Sequence, residues 1–471
     1  MQQGQENEPQ PQPQSEQSLV IKEWYDKAIA KTKEIYSMLT EDGHYQKPIQ
    51  LRNPFIFYLG HVAGFASIKV NQETLKKSSF APTYDVMFER GLDPDVFDPS
   101  RCHDHSRAPV QWPSIAQVND YVQKCRREIF LNSDEVEKKN DTLSKWCQKG
   151  RIHWMCIEHE LLHQETLMYM YLQMDAAYKV PPPKRPPFIT SSAKTLPPKK
   201  ISISTAGKVE LGAKFDALSF GWDNEFPAHV VDVPSFEVDD IPVTNEKFLE
   251  FVQCGAYEDK SNWASKQNWL WKTKEGMKHP ESWQQTGNGY VIKTLFNENI
   301  SITDAATWPV FVSFSEAQAY ARWKGRRIMT EPEWCRIAYT SPNDDDDGRK
   351  YPWGNDAPTS EHGNFNWTNL APTPVGSHPL GTSAWGVQDL IGDAWEWTSS
   401  VFAPFDGFEA MDIYPGYSAD FFPSNDYECS HYVLKGASFA TSTRLIRPSF
   451  RNWYQSCYPY VWAKFRLAND L

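Results

Sequence analysis

The stretch WMCIEHELLHQETLMYMYLQM, residues 154–174, decides the fold of the N-terminal half, because its apolar residues recur at helical spacing. At roughly 100° per residue, His159 and His163 lie about 40° apart on one face of the predicted helix. Two imidazoles at this spacing can reach one metal ion. Glu165 lies about 200° round from His163, so we expect it to support the site or the structure rather than to bind the same ion.

A third candidate ligand is His61, which interrupts an apolar stripe in FYLGHVAGF, residues 57–65. Helix bundles build metal sites from side chains on facing helices, and a bundle would bring this histidine to the other two. A lone histidine on an apolar face is equally typical of a hydrogen-bonded core residue. Three nitrogen ligands suit Fe(II) oxygen chemistry or zinc, and ligand type alone does not separate the two.

The segment from His159 to His163 also reads HELLH, the zinc-protease pattern in which the glutamate is the general base. No further histidine follows shortly downstream, which argues against a protease. Another cluster of possible ligands, residues 102–105 (CHDH), is predicted to be a loop, because adjacent side chains do not converge on one ion. The acidic run at residues 344–347 lacks the alternating spacing of a calcium loop and is predicted to be a solvated turn.

The sequence on either side of residues 154–174 predicts a helical domain. A disordered Gln/Pro-rich tail is expected at residues 1–18, a four-helix bundle at 19–180 and a proline-rich linker at 181–200. Asn53 and Pro54 are typical of a helix start, with Asn53 as the cap. The predicted bundle helices are residues 19–39, 53–71, 114–135 and 142–177.

Residues 201–471 differ in composition and pattern from the helical part. They contain short β-like runs between Gly, Pro, Asn and Asp, and many Trp and Tyr residues. This pattern predicts an irregular α+β domain. Two amphipathic helices are expected to open at Thr244 and Ser313. Trp395 and Trp397 are expected in its core.

The overall composition restricts the class of function. The net charge is −12 and no long basic run occurs, so binding of nucleic acid or of an anionic membrane is not expected, whereas small-molecule substrates fit. No apolar run is long enough to span a membrane. The eight cysteines are scattered, which favours a reducing compartment, and we therefore expect a cytoplasmic protein.

Several C-terminal motifs are similar to those of formylglycine-generating enzymes, whose domain has a C-type-lectin-like architecture. The motifs are IPVTNEKFLEF from Ile241, RIMTEPEWCRIAY from Arg327, YPWGN from Tyr351, GDAWEWTSS from Gly392 and VLKGASFAT from Val433. Formylglycine-generating enzymes bind copper through a pair of late cysteines, and Cys457 has no partner nearby in the sequence. That activity is therefore not expected.

An early histidine, an HxxxHxE helix and a Trp-rich second domain together resemble the sulfoxide synthases of ergothioneine biosynthesis, the hercynine oxygenases. The resemblance implies a DinB-like four-helix bundle followed by a formylglycine-generating-enzyme-like domain. The segments FERGLDPDVFDPSRCHDHS from Phe88, YPGYSADFF from Tyr414 and FRNWYQSCYPYVWAKFRLA from Phe450 look most like the oxygenase part of bifunctional fungal enzymes. A separate histidine methyltransferase would then supply hercynine.

The resemblance also implies roles for individual residues. His61, His159 and His163 would bind Fe(II), and Asn452 and Trp453 would contact hercynine. Tyr454 stands where a γ-glutamylcysteine-using branch has Asp, which favours free cysteine as the thiol. The implied reaction uses O2 to join the cysteine sulfur to the imidazole ring and to oxidise it to a sulfoxide.

Tyr414 and Tyr417 align with the active-site tyrosines of the family, and Tyr414 is our preferred proton donor. Trp453 and Tyr454 offer aromatic faces to a trimethylammonium group. The arginines that could bind substrate carboxylates are Arg90, Arg101, Arg107 and Arg451. Three alternatives stay open: joining of cysteine to histidine as in ovothiol biosynthesis, use of a selenium donor, and a non-catalytic lectin-like binding module.

Overall fold

The computed structural model describes residues 16–191, 197–287, 289–343, 348–418, 421 and 430–471. The predicted acidic turn at 344–347 and residues 1–15 of the predicted tail lie outside this part of the chain. The described fold is α+β, with an N-terminal helical region and a C-terminal domain of sheets and short helices, as predicted.

The N-terminal region is built from four long helices and one short one within the described residues. They are α1 Glu16–Ser37, α2 Phe55–Ser67, α3 Pro82–Phe88, α4 Ile115–Lys138 and α5 Arg151–Leu172. Helix α2 packs against α4 and α5, and α1 packs against α5. A π-helical segment, Ile68–Thr74, continues α2.

Two glycines allow α2 to lie close to its neighbours. A Cβ atom at Gly60 would lie 2.7 Å from the ring of Phe88, and one at Gly64 would lie 2.6 Å from the Tyr121 hydroxyl. Both contacts are closer than carbon atoms tolerate. Glycine at these two positions therefore seats the helix that carries His61 against α3 and α4.

The helix boundaries depart from the prediction at three places. Residues 16–18, predicted as disordered, belong to α1, where Gln17 and Ser18 bond to the Lys149 carbonyl and to Glu137. Pro54 rather than Asn53 occupies the cap position of α2, because Pro54 is itself extended, with a ψ of 161°, and the helix begins at Phe55. The last bundle helix begins at Arg151 because Gly150 adopts a left-handed φ of 69°.

The C-terminal domain contains short strands that form four sheets within the described residues. The strands are β1 Lys200–Ile203, β2 Gly207–Leu211, β3 His229–Val233, β4 Phe236–Asp239, β5 Trp283–Thr286, β6 Gly289–Ile292, β7 Ile300–Ser301, β8 Arg327–Ile328, β9 Ala394–Val401, β10 His431–Ala437, β11 Asn452–Gln455, β12 Ala463–Lys464 and β13 Leu467–Asp470. One four-stranded sheet has the order β1-β4-β13-β8 and the other β11-β10-β9-β12, in which β12 alone runs parallel to its neighbour. A β2-β3 hairpin and a three-stranded sheet β5-β6-β7 complete the strands of the described residues.

The helices of this domain are α6 Asn245–Gln253, α7 Lys266–Lys274, α8 Phe314–Trp323 and α9 Glu331–Tyr339. Thr244 and Ser313 occupy the cap positions of α6 and α8, which confirms the two predicted helix starts. Trp395 and Trp397 are fully buried, as predicted. None of the helices in the described ranges is both long and apolar enough to cross a membrane.

Helix α5 is buried on nearly all sides because it lies between the bundle and the C-terminal domain. Its Glu158 carboxylate, which is buried, accepts hydrogen bonds from Arg444 and Arg447 of the C-terminal domain at 2.9 to 3.1 Å. Arg447 also binds the buried Glu225. This ion cluster fixes the second domain against the helix that carries two of the three histidines.

Removal of the Glu158 carboxylate should therefore destabilise the protein. We expect Glu158→Ala to lower the free energy of unfolding by about 3–5 kcal/mol, since it leaves buried arginine charge uncompensated. The matched control is Asp26→Ala, which breaks an ion pair with Lys22 whose side chains are 56% and 53% exposed, and should cost less than about 1 kcal/mol. Urea unfolding of both variants measures the difference, and equal midpoints would contradict the assignment.

A second buried group on α5, His153, should make stability depend on pH. Burial lowers the pKa of His153 to about 4, and its Nδ1 lies 3.4 Å from the Tyr25 hydroxyl. The folded pKa lies below the unfolded one, so this stabilisation is complete above about pH 6.5 and is lost as the pH falls towards 4. We expect His153→Leu to reduce the loss of stability between pH 7 and pH 4.5 by about 2 kcal/mol. Denaturant unfolding at the two pH values tests this, and an unchanged loss would count against it.

Candidate active site between the two domains

The three predicted histidines meet. His61 from α2 and His159 and His163 from α5 place one ring nitrogen each within 4.8 Å of one another. The Nε2 atom of His163 lies 3.2 Å from Nε2 of His61 and 3.2 Å from Nε2 of His159. Nitrogens bound to one metal ion at about 2.0–2.1 Å are separated by about 2.9–3.4 Å in octahedral or tetrahedral geometry. The spacing therefore fits one ion.

The surroundings hold two of the imidazoles in place. The Nδ1 atom of His61 lies 2.6 Å from the Phe88 carbonyl, so Nδ1–H donates there and Nε2 keeps its lone pair for a ligand. The ring of His61 stacks on Phe57, and the ring of His159 stacks on Phe65 with centroids 3.7 Å apart. Apolar contacts thus orient the nitrogens towards one point.

The electrostatics also favour a cation. Burial lowers the pKa of His61 to about 4, although its hydrogen bond to Phe88 opposes the shift. Burial, reinforced by the neighbouring imidazoles, lowers the pKa of both His159 and His163 well below the ordinary value. All three rings are therefore neutral at pH 7, and their lone pairs converge where a positive ion would relieve their repulsion.

The histidines lie in a cleft of about 220 Å³ between the domains. The C-terminal domain supplies a wall from the start of β11 and from the loop that carries Tyr414. The cleft is lined by Arg52, Tyr58, His61, Arg90, Gly91, Leu92, Asp93, His103, His159, Leu162, His163, Glu165, Thr166, Tyr169, Tyr414, Gly416, Tyr417, Asn452, Trp453 and Tyr454. Most of the predicted site residues are thus brought together.

The two predicted catalytic tyrosines have different surroundings. Tyr414 packs edge-on against Phe65 with centroids 5.0 Å apart, and the Lys69 ammonium lies 5.1 Å from the centre of its ring. Lys69 also donates to the carbonyl of Ile413 at 2.7 Å, which fixes this loop to the π-helical segment that continues α2. The ring of Tyr417 stacks on Trp222 at 3.8 Å, and burial together with the nearby carboxylates raises its pKa well above 10.

The aromatic residues of β11 and its neighbours form one wall. Trp453 stacks on Phe402 with centroids 4.2 Å apart, and Tyr454 stacks on Tyr458 at 5.3 Å. The side-chain oxygen of Asn452 accepts a hydrogen bond from the backbone of Trp453. These contacts hold the wall rigid on the side that faces the histidines.

One predicted substrate ligand is wrong. Arg451 lies outside the lining of the cleft, because its buried guanidinium binds both oxygens of Glu331 at 3.0 and 3.1 Å and two backbone carbonyls. Strand alternation explains the error, since Arg451 and Asn452 are neighbours and point to opposite sides. Arg101 and Arg107 are exposed, and Arg101 pairs with Asp98, whereas Arg90 lines the cleft.

Two of the three glutamates of α5, Glu160 and Glu165, are hydrogen-bonded to residues other than the histidines. Glu165 accepts hydrogen bonds from the Trp395 indole at 2.8 Å and the Thr441 hydroxyl at 3.0 Å, so it bridges the domains, as expected for a supporting role. Glu160, the glutamate of HELLH, binds Arg126 through two hydrogen bonds of 2.6 and 2.7 Å. It is not available as the general base of a protease.

The sequence analysis assigned no role in the site to several lining residues, among them Arg52, Tyr58, Asp93, His103 and Tyr169. The predicted loop at residues 102–105 is confirmed, but its His103 reaches the cleft. For Asp93 and His103, the available signal was their position in the segment that begins with FERGLD at Phe88. The seven cysteines of the described ranges are thiols, in keeping with the prediction from their spacing.

Residues 187–471 match the family model of the sulfatase-modifying factor enzyme 1-like domain. The hercynine oxygenase of Mycolicibacterium smegmatis is 36% identical, over 81% of this chain and 85% of that protein. The hercynine oxygenase of Mycolicibacterium thermoresistibile is 34% identical, over 78% and 77%.

Ergothioneine biosynthesis protein 1 of Neurospora crassa is 30% identical over 92% of this chain, which spans 56% of that relative. The match to both bacterial enzymes extends well beyond the C-terminal domain. The chain therefore belongs to the hercynine oxygenase family and carries a sulfatase-modifying factor enzyme 1-like domain.

Proposed function

We propose that this chain joins the sulfur of free cysteine to the imidazole C2 of hercynine and oxidises that sulfur to a sulfoxide, with O2 as the oxidant. The reaction balances as hercynine plus cysteine plus O2 giving the sulfoxide plus water. The observation that carries the proposal is that His61, His159 and His163 converge in the cleft that also contains Tyr414 and Trp453.

Fe(II) is the proposed cofactor, held by the three Nε2 atoms. Their convergence, burial and neutral state fit a divalent cation, and the donor set leaves room for further ligands. A ferrous ion bound there supplies open coordination positions and the redox chemistry that O2 requires. Glu165 holds α5 against the second domain, so it positions His163 indirectly.

Tyr414 is the proposed proton donor. Reduction of O2 to water consumes protons, and a phenol at the cleft wall delivers one over a short path. The Lys69 ammonium, which pairs with Glu73, lies 5.1 Å from the centre of the Tyr414 ring and fixes its loop through the Ile413 carbonyl. Tyr417, whose pKa is raised, is the poorer donor and acts as packing for Trp222.

The substrates are proposed to bind between the aromatic wall and the segment that follows α3. Trp453 and Tyr454 line the cleft, and aromatic rings suit the trimethylammonium group of hercynine. The guanidinium of Arg90 makes no hydrogen bond within the described residues and suits a carboxylate. A methyltransferase activity acting on histidine would supply hercynine in the cytoplasm.

Purified protein incubated with Fe(II), O2, cysteine and either hercynine or histidine tests the proposal. We expect one sulfoxide product from hercynine, identified by mass spectrometry and NMR, with little product from histidine. Turnover of histidine but not hercynine would contradict the acceptor assigned here. Absence of product from both, with iron bound, would contradict the proposed activity.

A further inference from the structure

The segment between α3 and α4 brings two opposite charges into the cleft. Arg90 and Asp93, three residues apart, both line the space that holds the three histidines. The guanidinium of Arg90 lies over Gly416, where a Cβ atom would meet its nitrogen at 2.7 Å. A cationic and an anionic group so placed match the two charges of an α-amino acid.

Asp93 is the carboxylate with free hydrogen-bonding capacity. The lining of the described cleft contains two carboxylates, Asp93 and Glu165, and Glu165 uses both oxygens to accept from Trp395 and Thr441. One oxygen of Asp93 accepts from Arg52, and the other has no hydrogen-bond partner in the described part of the chain. Its side chain is 41% exposed, so that oxygen can be reached.

The neighbours of Asp93 keep it charged. Burial alone would raise its pKa, but the Arg52 guanidinium outweighs this and holds the pKa of Asp93 below its usual range. Arg52 is itself fixed by its hydrogen bond to Tyr169 at 3.2 Å and by packing over the Tyr458 ring. An ionised carboxylate with a fixed position and a free oxygen is a good acceptor for a cationic N–H donor.

We propose that Asp93 recognises the α-ammonium group of the thiol substrate and thereby selects free cysteine over thiols whose amine is absent or acylated. The inference rests on the proposed function, since it assigns the thiol of that same reaction. In γ-glutamylcysteine the corresponding nitrogen is a neutral amide, so it cannot donate a charge-assisted hydrogen bond to Asp93. The trimethylammonium group of hercynine carries no N–H and suits the aromatic wall instead.

Thiol binding to the Fe(II)-loaded protein under anaerobic conditions tests the inference without turnover. Isothermal calorimetry would compare cysteine, cysteamine, 3-mercaptopropionate and γ-glutamylcysteine, and separately hercynine, on wild type and on Asp93→Asn. Asparagine keeps an acceptor for Arg52 while removing the charge. The matched control is Asp98→Asn, which changes an exposed carboxylate of the same segment.

Wild type should bind cysteine about 10–100-fold more tightly than 3-mercaptopropionate or γ-glutamylcysteine. In Asp93→Asn the affinities for cysteine and cysteamine should fall by that factor, while the affinity for 3-mercaptopropionate stays within about threefold. The unchanged affinity for 3-mercaptopropionate also shows that the cleft is intact. Asp98→Asn should bind all four thiols as wild type does.

Equal losses for all thiols in Asp93→Asn would overturn the inference, because they would show that Asp93 serves only to hold Arg52. A loss of hercynine affinity with unchanged cysteine affinity would also overturn it. Failure of the proposed function is distinguishable, since it appears as absence of sulfoxide in wild-type turnover whatever the thiol affinities are.

Discussion

Replacement of His159 by alanine should abolish sulfoxide formation and reduce bound iron to less than about a tenth of the wild-type content. Loss of one of three neutral nitrogen ligands should weaken metal binding by at least about 100-fold, since even residues that only orient a ligand change affinity by 10–100-fold. His163→Ala should behave in the same way. Metal analysis after desalting, together with product formation, measures both effects.

His153→Ala provides the matched control. His153 is a buried histidine on the same helix, but it lies outside the cleft lining. The His153→Ala variant should be less stable than wild type, but its folded fraction should retain iron. Wild-type iron content in folded His159→Ala and His163→Ala protein would show that the metal is not bound by these three residues.

Replacement of Tyr414 by phenylalanine should slow sulfoxide formation by about 10²–10⁴-fold, the range typical of a lost general acid. The ring contact with Phe65 survives the substitution, so folding, iron content and thiol affinity should stay near wild type. The rate of sulfoxide formation with saturating substrates, and its solvent isotope effect, measure the loss.

Tyr417→Phe is the control for that experiment. Phenylalanine retains the stack on Trp222, so the rate should change by less than about tenfold. A larger loss in Tyr417→Phe than in Tyr414→Phe would transfer the proton-donor role to Tyr417. A small effect of both substitutions would place the acid elsewhere in the cleft.

The helix register of the metal site could be predicted because it is local. The i, i+4 spacing of His159 and His163 follows from helix geometry alone, and His61 interrupts an apolar run that had to be buried. The same arithmetic removed Glu165 from the ligand set. Only the tertiary structure identified the hydrogen-bond partners of Glu165, because Trp395 and Thr441 lie more than 200 residues away in the sequence.

Side chains with long-range partners could not be assigned from the sequence. Arg451 and Arg90 were both predicted as possible carboxylate ligands. Glu331 pairs with Arg451, whereas Arg90 lines the cleft. Glu160 had the right position in HELLH for a protease base, and Arg126 on α4 takes its carboxylate. The burial and pairing of a charge depend on which element packs against it.

By itself the sequence determined the two domains, the helix with its histidine pair and the family resemblance, because periodicity and short motifs act over a few residues. Only the tertiary structure decided which histidines converge and, among the described residues, that Arg90 has no carboxylate partner and that one oxygen of Asp93 has no hydrogen-bond donor. These features depend on distances between α2, α5 and β11, which packing sets and local sequence does not.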